Sequence, residues 1–141
     1  MNPAYREAVF RCGVGICDIH PHRFAIVTAC NPNDCVCPEA ENRRADEELA
    51  RELDRMRVWH FRVIGGAPDF RHQEPGWGVA MGSMNEAVDL GRRWGQAAVF
   101  WVEDDVLHLV DCSDGGHEDL GSWSRRTRFF QPVGGWRVVP E

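Results

Sequence analysis

One strand-to-helix transition, in residues 24–57, constrains the fold more than any other feature of the chain. Phe24-Ala25-Ile26-Val27 is a short β-forming run that turns abruptly into Thr28-Ala29-Cys30-Asn31-Pro32. A run of that kind ended by Asn-Pro reads as a buried strand, here 23–30, closing in a turn. After a loop over 31–38, residues 39–57 carry Ala45, Leu49, Leu53 and Met56 at helical spacing, with Glu, Asp and Arg on the remaining face. Pro38 suits the first helical turn, and Glu39 and Glu41 complement the helix N-terminus. A buried strand followed by a one-sided helix requires a sheet with a helix packed on one face.

The rest of the chain extends this pattern. Residues 58–64 and 77–81 read as strands separated by a loop with Pro68, Asp69 and Glu74-Pro75. Ser83-Met84-Asn85-Glu86 has the spacing of a capping box, and the helix that it opens stops at Gly95. Residues 97–102 and 106–112 form a hairpin around Glu103-Asp104-Asp105. The order is β-α-β-β-α-β-β, a two-layer α+β sandwich that is ferredoxin-like or related. Residues 5–17 form a leading strand or short helix, and Gly13 and Gly15 weaken both readings. Residues 113–128 read as a polar loop. Phe129-Phe130 and residues 136–139 are expected to fold back over a sheet edge or face.

Composition narrows the function classes. With 141 residues, 43% of them hydrophobic, the chain suits a single domain over 1–141. No apolar run approaches the roughly 18–20 residues of a membrane span. Met1 to Glu7 lack the charged and apolar regions of a signal peptide, so a cytoplasmic protein is expected. All sixteen basic residues are Arg, and the net charge is −6. The phosphate term of general nucleic-acid binding would therefore be repulsive. Six cysteines, at 12, 17, 30, 35, 37 and 112, are expected as reduced thiols.

Four constellations carry chemistry. Asn31, Asn42, Arg43, Glu74 and Gln96 sit at strand and helix ends. As a pocket, Asn and Gln would orient a small ligand, Arg43 would hold an anion, and Glu74 would be the candidate base. As structure, Asn31 caps a turn, Asn42 and Glu74 pin loops, and Gln96 satisfies a helix C-terminus. Cys12, Cys17, His20, His22, Cys35 and Cys37 offer zinc-type donors, but without paired C-x2-C knuckles, so no cofactor is expected and zinc stays an alternative. His60 and His108 read as packed or surface strand residues. Trp123, Arg125, Arg126 and Arg128 form either a patch gripping an acidic partner, with Trp123 stacking, or a solvated charged face. No nucleophile–base pair is visible.

The run 24–32, with Glu41-Asn42-Arg43, Glu74 and Trp94-Gly95-Gln96-Ala97-Ala98-Val99-Phe100-Trp101, resembles an uncharacterised bacterial family, domain of unknown function 3293. The resemblance covers a core of about 20–112 and leaves 113–141 as an extension. It marks Asn31, Asn42, Glu74 and Gln96 as recurrent polar positions and implies no activity. The family pattern commonly has an aromatic residue where this chain has Cys30. The function expected first is a regulatory, protein-binding module without catalysis, such as a phage- or defence-linked inhibitor. The alternatives are an enzyme or sensor of a small anionic or nucleotide-like ligand, and a zinc-stabilised module.

Overall fold

The structure, a computed structural model, describes residues 3–13 and 21–130. Among the described residues eight strands form one sheet: β1 (Val9–Gly13), β2 (Arg23–Val27), β3 (His60–Gly66), β4 (Gln73–Ala80), β5 (Ala98–Glu103), β6 (Val106–Asp111), β7 (His117–Ser122) and β8 (Thr127–Phe130). The helices are α1 (Glu39–Met56), α2 (Met84–Arg93) and the single turn α3 (Trp123–Arg126). Spatial order is β7-β6-β5-β2-β4-β3-β1-β8, antiparallel throughout except for the parallel pair β1–β8. The fold is thus mixed α+β, with the sheet curled into a half-barrel.

The curl follows from chain connectivity. Strands β7 and β8 lie at opposite ends of the sheet, yet only the four residues of α3 join them. Seven strand spacings of an open sheet span roughly 34 Å, several times the reach of one helical turn. The sheet must therefore bend until its edges approach. Contacts across the gap agree: Arg126 donates to the Arg6 and Ala8 carbonyls, and Arg6 pairs with Glu118 of β7 at 2.9 Å.

Strand alternation divides the core between the two faces. Ala25, Val27, Trp77, Val79, Val99 and Trp101 face α1 and α2, which bury Leu49, Leu53, Ala87, Val88 and Leu90 on them. Gly91 lets α2 come close, since a Cβ there would sit 2.6 Å from Val99 Cγ1 and 2.9 Å from Cys112 Sγ. The opposite, concave face carries Phe10, Phe24, Phe61, Val63, Phe100, Leu107 and Leu109, and closes on itself with Trp123 inside.

Several expectations are corrected. Residues 113–128 are not a loop, because β7, α3 and the start of β8 lie there. Met56 is exposed, whereas Ala45, Leu49 and Leu53 do pack inward, joined on the inner face of α1 by Asn42, Asp46 and Ala50. Pro3–Glu7 is a 3-10 turn ahead of β1, and β4 begins at Gln73, so Glu74 is a strand residue. Ser83 does cap α2, accepting from the Glu86 amide at 3.3 Å, while Glu86 accepts from the Gly82 amide at 2.8 Å. Phe129 and Phe130 do fold back on the edge strand, pairing with Cys12 and Gly13. Residues 136–139 lie outside the described residues.

Candidate functional site

The two ends of the half-barrel are finished differently. At the end where β2 begins, Trp123 fills the interior, its ring 5.2 Å from Phe10 and 5.4 Å from Phe24. At the end where β2 stops, no large side chain among the described residues plugs the curl, and a cavity of about 410 Å³ opens. Its apolar wall comes from Tyr5, Phe10, Ile26, Val63, Ala98 and Phe100, and its polar end from Thr28, Asn31, Asp34, Glu74 and Gln96. Val36 stands at the rim, 89% exposed.

Asn31 organises the polar end. It sits in the left-handed region (φ 47°, ψ 57°), which Asn tolerates better than most residues. Its Oδ1 accepts from the Cys37 amide at 3.0 Å and from Asn42 Nδ2 at 2.8 Å. Its Nδ2 donates to Glu74 Oε1 at 2.8 Å, and its backbone N–H donates to Asn42 Oδ1 at 2.9 Å. Asn42 Nδ2 also reaches the Cys37 carbonyl at 3.4 Å, so both Nδ2 protons are spent and Asn42 serves to position Asn31. Thr28 Oγ1 donates to the Pro75 carbonyl at 2.9 Å and accepts from the Cys30 amide at 3.0 Å. The β2 end is thereby tied to β4 beside Glu74.

Gln96 is only 7% exposed. Its Nε2 donates to the Cys30 carbonyl at 3.1 Å and the Trp94 carbonyl at 3.2 Å. Both partners are acceptors, which fixes the amide's orientation. Oε1 lies on the other side and receives no hydrogen bond among the described residues. Tyr5 donates to Asp34 Oδ1 at 2.9 Å; burial first, then that bond, raises its phenol pKa. Burial likewise pushes the Cys30 thiol up to about 11, so it is protonated at neutral pH and is a poor nucleophile.

Of the five expected pocket residues, Asn31, Glu74 and Gln96 line the cavity and Asn42 braces them. Arg43 does not line it; it turns outward to Glu39 at 3.5 Å on the exposed helix face. The expected stacking platform is overturned, because Trp123 is 3% exposed among core aromatics. Arg126 is committed to the N-terminal carbonyls, and Arg128 donates to the Arg125 and Thr127 carbonyls. The suggested metal donors are dispersed: Cys12 is buried on the concave face, Cys35 is exposed, and His22 lies near Asp104 at 3.9 Å. Cys17 and His20 lie outside the described residues. Among the described residues no group of three His, Cys, Asp or Glu side chains stands ready for a metal ion.

Sequence reasoning missed two features. Tyr5, Asp34 and Phe10 come from segments distant from the polar core, and only the curl brings them in. It also missed a buried ion pair beneath α1. Arg62 grips Asp46 in a bidentate pair at 2.8 and 2.7 Å, while its guanidinium lies 3.9 Å from the Trp77 ring centre. Asp46 follows Asn42 by one helical turn, on the face that carries Leu49 and Leu53; that spacing was the available signal. His60 is a core residue, with Nδ1 2.9 Å from the Val58 carbonyl and its ring edge-on to Trp77. Its Nε2 lies 3.4 Å from Asp54 Oδ1 without hydrogen-bond geometry.

The family model described as "Protein of unknown function (DUF3293)" matches residues 27–99. That span holds Asn31, Asn42, Glu74 and Gln96, whereas Tyr5, Phe10 and Phe100 fall outside it. No curated protein and no solved structure matches the chain.

Proposed function

We propose that this chain, which belongs to the DUF3293 family, is a small-molecule-binding module whose site is the open end of the half-barrel. One observation carries the reading. Asn31, Glu74 and Gln96, from three separate segments, meet at the polar end of a largely apolar cavity of about 410 Å³. That combination of an apolar wall and a few oriented polar groups is typical of ligand sites. Asn42 and Thr28 use their own hydrogen bonds to hold this polar end, which supports a preorganised site.

Binding without catalysis fits the inventory better than turnover. The cavity's thiol, Cys30, is held neutral, and Glu74 faces no nucleophile within the lining. The order β5-β2-β4-β3, with both long helices on one face, reads as a ferredoxin-like unit to which β1, β6, β7 and β8 are added. The free thiols of Cys30, Cys35, Cys37 and Cys112 support a reducing, cytoplasmic setting.

The test is a thermal-shift panel of small aromatic amines, alcohols and acids on wild type and on Ala98→Phe. Ala98 lies in the cavity wall, so the larger ring is aimed at the cavity, and the substitution should cost about 1–3 kcal/mol. At least one compound should raise the wild-type Tm and leave the variant unmoved. Equal shifts in both proteins would place binding elsewhere and reject this site.

A further inference from the structure

The polar end of the cavity is strongly one-sided in both charge and hydrogen-bonding sense. Glu7, Asp34 and Glu74 line it together with His72, and no Arg among the described residues does. Three guanidiniums are engaged elsewhere: Arg62 with Asp46 on the helix side, Arg6 with Glu118, and Arg11 over the Phe70 ring. The neutral groups lean the same way. Gln96, more than nine-tenths buried, has its Nε2 occupied by two carbonyls and its Oε1 unpartnered among the described residues. Thr28 spends its proton on the Pro75 carbonyl, and Tyr5 spends its own on Asp34. Glu74 is held through Oε1 by Asn31, and its Oε2 has no partner among the described residues. Among the described lining side chains the donors left over are few, His72 and the second proton of Asn31 Nδ2, against the open oxygens of Gln96, Glu74 and Glu7.

From this we infer that the occupant is an organic cation, a protonated amine or amidine on an aromatic or apolar body, a reading that rests on the cavity being a ligand site. Its N–H groups would satisfy Gln96 Oε1 and the free oxygen of Glu74. Its body would lie along Phe10 and Phe100, whose rings stand edge to face with centres 5.0 Å apart. Aromatic faces and carboxylates attract the same charge, and burial strengthens both effects. A bare metal ion fits less well, because the carboxylates do not gather into a three-donor cluster among the described residues. The anionic ligand expected with Arg43 is disfavoured outright. It would meet three carboxylates, and Arg43 is turned away on the helix surface.

The experiment is calorimetric titration of the full chain with three matched probes: 2-phenylethylamine, 2-phenylethanol and phenylacetate. The amine should bind about tenfold or more tighter than the alcohol, with the acid weakest. Glu74→Gln keeps an acceptor for Asn31 but removes the charge, and should erase most of the amine's advantage. Asp34→Asn serves as the second variant if Glu74→Gln lowers Tm substantially. Equal affinity for amine and alcohol, or preference for the acid, would overturn the cationic class while leaving the cavity as a small-molecule site. Failure of all three probes to bind would overturn both readings.

Discussion

Replacing Asn31 with Ala tests the physical basis of the site at its most connected residue. The side chain makes three hydrogen bonds, to the Cys37 amide, Asn42 Nδ2 and Glu74 Oε1. These groups are only partly buried, so water recovers some of the loss, and the bonds together contribute about 2 kcal/mol. Ala must also hold the left-handed backbone at φ 47°, ψ 57°, which costs about 1 kcal/mol more than for Asn. The total is ~3 kcal/mol, or roughly 6–12 °C in Tm for a chain of this size. Asn31→Gly separates the two contributions. It loses the same three bonds without the backbone strain and should cost about 2 kcal/mol. Urea denaturation of both variants, at constant m-value, gives the two numbers directly. A loss below about 1 kcal/mol for Asn31→Ala would mean the network does not hold the cavity rim, and the reasoning fails.

Three further outcomes follow from the packing and the titrating groups. Asp46→Ala strands the mostly buried Arg62 guanidinium and should cost about 3 kcal/mol, whereas the double change Asp46→Leu with Arg62→Met should recover most of it; an equally unstable double variant in urea melts would contradict that. Burial raises the Cys30 and Cys112 thiols from 9.0 to about 11, so the native state holds both protons more tightly than the unfolded chain. Their contribution is complete below pH 9 and is lost as pH rises toward 11; a Cys30→Ala, Cys112→Ala variant should show a flatter decline there in pH-dependent unfolding. Ser83→Ala removes the cap of α2 and should cost about 1 kcal/mol by urea denaturation; no change would show the cap to be idle.

The legible parts of the fold were those where local pattern and tertiary demand agree. The run from Phe24 to Val27, the helix after Pro38 and the capping box at Ser83 each carry their own signal, and the polar residues at their ends converge as strand-end chemistry suggests. Arg43 misled because adjacency in sequence is not adjacency on a helix. One residue turns the side chain by about 100°, carrying Arg43 off the face that Asn42 and Asp46 share. The closure by β7, α3 and β8 was hidden by its composition. From His117 to Arg128 only Trp123 and Thr127 are buried, among residues that mostly face water, too few to show a period. The cavity's apolar wall was invisible for a different reason: Tyr5, Phe10 and Phe100 become neighbours only once the sheet has curled.

The central claim is that the open end of the half-barrel takes a small molecule. A methyl-resolved NMR titration of the full chain with 2-phenylethylamine addresses it directly. Methyls of Ala8, Ile26, Val63 and Ala98 line the cavity and should shift together with one saturating curve. Methyls of Ala25, Leu49, Leu53 and Val79, on the helix side of the sheet, should stay in place. Shifts centred on the helix-side set, or no saturating shift at any cavity methyl, would contradict it.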